Sequence, residues 1–241
     1  MIAIASGKGG VGKTWFAVTL SHALARRGKN VLLFDGDLGL ANLDIQLGLT
    51  PKSDLGGVIS GKLTMGQAIT RYDDGGFDII AGRSGSGSLA NLSPSRQRAL
   101  ADDLVQLSTS YDHVLLDLGA GIERTVRQMA AYATTCIVVL TDEPTALTDA
   151  YAFIKVTHIE RPEIRIMVVA NMVNSRKEGE RTFNTLTKAC QGFLNFSPRL
   201  LGIIRRDNKV REAIRNQTSL LIRYPNTEAA EDVESIASKL I

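Results

Sequence analysis

Gly7-Lys8-Gly9-Gly10-Val11-Gly12-Lys13-Thr14 is the stretch on which the fold turns. It follows the phosphate-loop pattern of a glycine, four spacers and Gly-Lys-Thr. A short apolar run, Met1 to Ser6, precedes it, and Phe16, Leu20, Ala23 and Leu24 follow at helical spacing. Strand, glycine loop, helix is the context the motif requires. The glycines lack a Cβ, so the backbone can curl and aim successive N–H groups at phosphate oxygens. Those groups run from Gly9 and Gly10 through Val11 and Gly12 to Lys13, Thr14 and Trp15. The helix opening at Gly12–Lys13 adds the positive end of its dipole. Lys13 is expected to reach the β- and γ-phosphates, and the Thr14 hydroxyl to ligate magnesium.

A lysine directly after the first glycine is not demanded by an ordinary phosphate loop. With Lys8 in place, the octet resembles the deviant loop of the ParA/MinD ATPases. That resemblance implies that Lys8 acts in trans on a partner's nucleotide, and that ATP closes two subunits into a homodimer. Trp15 departs from the family, which usually has a second Thr or Ser there. Its backbone N–H is still available to a phosphate, but the hydroxyl is gone.

Strand-like apolar runs occupy 1–6, 30–35, 77–81, 113–117, 135–141, 164–170 and 199–204. Helical patterns fill 13–27, 94–109, 122–132, 144–160, 177–191, 207–216 and 226–240. Ser93-Pro94 is a start signal, a capping hydroxyl followed by proline at the first helical position. Near-continuous apolar strands alternating with helices predict an α/β, doubly wound, mostly parallel sheet with helices on both faces. The Gly/Ser-rich stretch 82–88 is too short for an interdomain linker, so residues 1–241 are expected to form one phosphate-loop ATPase domain.

Composition is that of a globular protein, 44% hydrophobic and 22% charged. No run approaches the roughly 18–20 apolar residues of a membrane span, and the opening run is too short for a signal peptide. Cys136 and Cys190 have no metal-ligand spacing and read as small hydrophobes. A cytoplasmic location is expected. The chain carries a formal net charge of +3, with bases gathered at Arg199, Arg205, Arg206, Lys209, Arg211, Arg215 and Arg223. Nucleic acid is a possible partner for such a cluster, but a solvated helix face is the favoured reading because no aromatics are interleaved.

In open parallel sheets ligands lie beyond the carboxyl ends of the strands. Val-Leu-Leu-Phe-Asp35-Gly-Asp37 ends the second strand, and His-Val-Leu-Leu-Asp117 ends the fourth. An apolar strand ending in Asp is the Walker B pattern, which makes Asp117 the magnesium partner, direct or through water. The segment Asp35 to Asp44 resembles switch I of the MinD group. By that resemblance Asp37 positions the attacking water and Asp35 supports the metal shell. Asp117-Leu-Gly-Ala-Gly121-Ile-Glu123 resembles switch II, with Gly119 where the family usually has proline. A guanine-reading loop would want an acid where Asn174 stands, so adenine is expected. The resemblance assigns Asn171 to the adenine edge, and Arg205-Arg206-Asp207 to the turn that wraps the base. ATP, ADP and magnesium are thus the expected ligands.

Asp37-Leu-Gly-Leu-Ala-Asn-Leu-Asp44, Leu47-Gly-Leu-Thr-Pro51 and Arg206-Asp207 to Ala213 look most like flagellar number and placement regulators of the FlhG/FleN type. Such regulators work with a protein partner, a flagellar placement GTPase or another regulator. They usually carry a short leading extension that engages the GTPase, whereas this chain starts at its first strand. They also tend to end in a membrane-targeting helix. Here the last helix has a core stripe, and its other face bears Glu228, Glu231, Asp232 and Glu234, the wrong sign for anionic lipid. No membrane anchor is expected. The leading expectation is an ATP-dependent dimerisation switch acting on flagellar number or placement. A ParA-type DNA-partitioning ATPase is the runner-up. An ATP-dependent ligase or amidase is disfavoured because no nucleophilic Cys–His arrangement is evident, and an iron–sulfur carrier because no Cys-x-x-Cys pair exists.

Overall fold

The computed structural model describes residues 1–37, 41–82 and 93–241. Part of the switch I-like segment (38–40) and most of the Gly/Ser-rich stretch lie outside the described residues. Strand β1 (Ile2–Ser6) leads through the glycine loop into α1 (Lys13–Ala25), then β2 (Val31–Gly36). Two short helices, α2 (Leu43–Leu47) and α3 (Leu55–Ile59), precede β3 (Ile69–Tyr72) and β4 (Phe77–Ile80). Then come α4 (Pro94–Ser108), β5 (His113–Ala120), α5 (Arg124–Ala130), β6 (Thr135–Leu140) and α6 (Pro144–Glu160). The chain continues through β7 (Arg165–Val173), α7 (Arg176–Leu194), β8 (Arg199–Arg205) and α8 (Asn208–Arg215). It ends in α9 (Leu220–Arg223) and α10 (Glu228–Ser238).

These strands form one eight-stranded sheet in the order β3-β4-β2-β5-β1-β6-β7-β8. Every pairing is parallel except β3 with β4. All seven expected strands are present. The edge strand β3 was not expected, because Ile-Thr-Arg-Tyr is too short and too mixed to stand out as a strand pattern.

Alternation along each strand divides the core into two layers. Leu33 and Ile79 pack on one face with Phe16, Leu20 and Leu24 of α1 and Val233 and Ile236 of α10. Leu32, Phe34 and Leu116 pack on the other with Leu104, Val126, Phe153 and Leu186 from α4 to α7. Burial of each such side chain contributes roughly 1.5–3 kcal/mol, so both sheet faces must be covered. The predicted start of α4 is present, with Ser93 Oγ accepting from Arg96 N and Pro94 in the first turn. The Oγ atoms of Ser175 and Thr227 cap α7 and α10 in the same way.

The sheet order fixes the position of the crevice. β1 sends its connection to β2 on one side, whereas β5 crosses β1 to reach β6 on the other. The carboxyl end of β1 is therefore a point where the winding reverses, which is where open α/β sheets bind ligands. The glycine loop stands there.

Candidate functional site

Three glycines of the loop are dictated by geometry. A Cβ on Gly7 would stand 2.2 Å from the Asp149 backbone, so the loop begins pressed against α6. Gly10 and Gly12 have φ of 80° and 83°, the left-handed region that side chains disfavour. Gly9 and Gly10 face open space, with nothing within 4 Å of a built Cβ. Gly12 forms the N-cap of α1 without a side-chain cap, and Phe16 N to Gly12 O closes the first helical turn. The N–H groups of Lys13, Thr14 and Trp15 thus have no partner along the helix. They open onto a crevice of about 680 Å³ lined by residues 9–15, Gly36, Asp37, Gly119 and Ala120.

Beneath the loop lies a buried charge cluster. Asp35 and Asp117 are register partners on adjacent strands, β2 and β5. Lys13 Nζ lies 3.2 Å from Asp117 Oδ1, and both side chains are buried. The Thr14 side chain joins Lys13 in holding the Asp117 carboxyl down. Asp35 accepts from the backbone N–H of Asp37 at 3.2 Å and of Leu43 at 3.3 Å. Burial, reinforced by the Asp117 charge, pushes the Asp35 carboxyl up to about 7. Burial also raises Asp117, against the pull of Lys13. Two carboxylates and one hydroxyl, with the Lys13 ammonium beside Asp117, suit a hard divalent cation that keeps water and phosphate ligands. Magnesium fits Thr14, Asp35 and Asp117. Among the described residues no group of three or more His, Cys, Asp or Glu could cage a metal without a substrate's help.

Asp37 lies in the crevice wall beside the end of β5, where a Cβ on Gly119 would stand 3.5 Å from its Oδ1. Lys8 is directed differently. Its Nζ is 2.7 Å from Glu143 Oε2 and 2.9 Å from Thr145 Oγ1, at the start of α6. Lys8 in turn holds the Glu143 carboxyl below the usual range.

Asn171 is buried, and its Nδ2 donates to Val11 O at 2.8 Å. Its amide nitrogen therefore braces the phosphate loop. Met172 follows with φ 58°, beside a register irregularity between β7 and β8. Next to it is a small pocket of about 80 Å³, lined by Trp15, Asn171, Met172, Ile204 and the turn Arg205–Asp207. Arg205 and Asp207 of that turn have structural partners as well. The Arg205 guanidinium is held by Asp232 at 2.9 Å, and Asp207 Oδ1 accepts from Lys209 N at 2.8 Å to cap α8.

Asp232 corrects one expectation. It is not on the outer face of the last helix but 2% exposed, between Arg176 and Arg205. Sequence periodicity placed it outward because its partners come from distant elements. The basic cluster is largely engaged: Arg205 with Asp232, Arg206 with Met172 O, Lys209 with Glu212, and Arg223 with the Tyr224 hydroxyl. Cys136 and Cys190 are buried free thiols, pushed up to about 12 and about 11 by burial. Glu143, Thr145 and Met172 were not singled out from the sequence. Glu143 stands just before the helical pattern 144–160 and belongs to no motif, and nothing in the residue type signals a left-handed methionine.

Similarity to known proteins agrees with this geometry. Residues 2–220 match the CobQ/CobB/MinD/ParA nucleotide binding domain. The chain is 38% identical to the antiactivator FleN of Pseudomonas aeruginosa, over 100% of this chain and 85% of that protein. It is 31% identical to the flagellum site-determining protein YlxH of Helicobacter pylori, over 100% of this chain and 81% of that protein. Its fold superposes on the septum site-determining protein MinD of Pyrococcus horikoshii, solved with Mg-ADP. The TM-score is 0.83 at 24% identity, covering 99% of this chain and 94% of that one. The chain is a member of the CobQ/CobB/MinD/ParA nucleotide-binding family.

Proposed function

We propose that this chain is an ATPase of the MinD type, an ATP-dependent dimerisation switch that regulates flagellar number or placement. The observation that carries the reading is the buried Lys13–Asp117 pair beside Asp35 beneath the glycine loop, with Lys8 turned to α6 instead. The backbone N–H groups of Gly9 to Trp15 bind the polyphosphate, and Lys13 adds its charge at the outer phosphates. Thr14, Asp35 and Asp117 hold magnesium, which when bound neutralises phosphate charge. Asp37 orients the attacking water. Lys8 leaves Glu143 and reaches the nucleotide of a second copy, so that two subunits close on ATP and separate after slow hydrolysis to ADP.

The pocket beside Met172 receives adenine, with Asn171 and the Arg205–Asp207 turn as its walls. Residues 1–241 act as one ATPase unit. Similarity to FleN and YlxH supports a flagellar role through a protein partner, a placement GTPase or another regulator. Action in the cytoplasm is part of the proposal, and no helix among the described residues is long and apolar enough to cross a membrane.

The test is the mass of the protein in solution. A dimer with a non-hydrolysable ATP analogue and magnesium, and a monomer with ADP, is the expected result. The same mass in both, with binding verified by calorimetry, would remove the switch while leaving a nucleotide-binding protein.

A further inference from the structure

Two cavities meet at Trp15. The phosphate crevice and the small pocket beside Arg205–Asp207 share two lining residues, Trp15 and Met172. A ligand spanning both runs past these two residues. Met172 offers no donor, so Trp15 supplies the polar side-chain group at the junction. The residue is 5% exposed, and its Nε1 is buried with no hydrogen-bond partner. Buried indole N–H groups usually find an acceptor, and an orphan calls for an explanation. Among the described residues four other buried side-chain atoms lack partners, on Thr141, Thr157, His158 and Thr187, but none of these residues lines either cavity.

The position of Trp15 says what the missing acceptor is. Lys13 and Thr14 precede it in the first turn of α1 and address the outer phosphates. A nucleotide with its outer phosphates there and its base in the small pocket carries its innermost phosphate and ribose past Trp15. Resting on the nucleotide reading above, we infer that Trp15 is a specificity-determining residue of this site. Its indole N–H donates to an oxygen at the junction of the innermost phosphate and the ribose of a nucleoside 5′-phosphate.

The nitrogen is covered in the ligand-free chain, so the contact forms as the ligand enters and the ring turns. Met172 permits this. Its backbone is pinned by Arg206 Nε on its carbonyl at 3.3 Å, while its unbranched thioether is free to repack. Inorganic phosphate held at the outer-phosphate positions of the glycine loop does not reach the indole, so this residue separates nucleotides from that anion.

Trp15 is the one tryptophan of the chain, so an indole-¹⁵N-labelled sample gives a single indole cross-peak. With magnesium, ADP and AMP are expected to move that proton downfield and slow its exchange with water, whereas inorganic phosphate leaves it in place. Adenosine shifting the peak as far as AMP assigns the acceptor to the ribose; no shift with adenosine assigns it to the phosphate. Trp15→Phe keeps a ring and removes the donor. It is expected to bind ADP roughly tenfold more weakly and inorganic phosphate as the wild type does. An unmoved indole peak at calorimetric saturation with ADP, or equal ADP affinity of W15F and wild type, overturns the inference. Absence of any ADP binding by the wild type overturns the nucleotide reading itself, and the inference with it.

Discussion

Lys8 and Glu143 form an ion pair at 2.7 Å that ties the glycine loop to the first turn of α6 within one subunit. The pair is partly exposed, with 38% and 60% of the side-chain surfaces accessible, so it is a weak restraint that a stronger partner can replace. A lysine that must reach a second subunit's phosphates first has to leave this carboxylate. Glu143→Gln is expected to lower the ATP-analogue concentration needed for half-maximal dimerisation by roughly two- to fivefold. Lys8→Ala should bind nucleotide and remain monomeric. Light scattering across an analogue titration checks both, and an E143Q curve lying over the wild type would show that the pair does not hold Lys8 back.

Gly12 and Gly9 make opposite predictions within one loop. A methyl group on Gly12 would stand 2.5 Å from Asn171 Nδ2 and 2.9 Å from Met172 Cε, at φ 83°. Gly12→Ala therefore carries a left-handed penalty of roughly 1–2 kcal/mol and displaces the Asn171 brace on Val11. A melting temperature lower by about 5 °C or more is expected. Gly9→Ala meets nothing within 4 Å and should melt like the wild type. Its methyl still faces the phosphate side, so nucleotide affinity should fall in both variants. Thermal melts with and without ADP separate the two effects.

The contrast shows how much was legible beforehand. The octet, its flanking strand and helix, and the two strands ending in Asp35 and Asp117 are local patterns, and the doubly wound sheet follows from them. β3 escaped because a four-residue edge strand gains its identity from pairing with β4 rather than from its own periodicity. The Lys8–Glu143 pair spans 135 positions, and Asn171 reaches Val11 across 160. Contacts of that range leave no trace in spacing. Asp232 looked like surface charge because its burial depends on Arg176 and Arg205, which folding alone brings to it.

Asp35 should trade stability for binding. It faces Asp117 across paired strands, and burial holds its carboxyl up to about 7, above its ordinary 3.8. A carboxyl raised on folding stabilises the protein when protonated, and that contribution is lost as pH climbs from about 4 through about 7. Asp35→Asn removes the buried charge. It should be more stable than the ligand-free wild type at pH 8 by roughly 2 kcal/mol, with little difference at pH 4.5. The magnesium dependence of nucleotide affinity should disappear in the same variant. Urea midpoints at the two pH values, with calorimetry in magnesium and in EDTA, test the pairing of these effects.

His22 pulls stability the other way in the same pH range. Its ring is buried in α1, with Nδ1 2.7 Å from Ser219 Oγ, and burial followed by the Arg26 charge lowers it from 6.5 to about 4. Between those values the unfolded chain takes up a proton that the folded chain refuses. The contribution of His22 is therefore intact above about 6.5 and is lost as pH falls through about 4. His22→Gln keeps a polar group near Ser219 and cannot titrate. The stability of wild type relative to H22Q should thus decline by roughly 2 kcal/mol between pH 7 and pH 4.5. Because Asp35 is present in both proteins, its opposing trend cancels in that difference. A difference that stays constant across the range would mean that the His22 ring is free to take its proton in the folded chain.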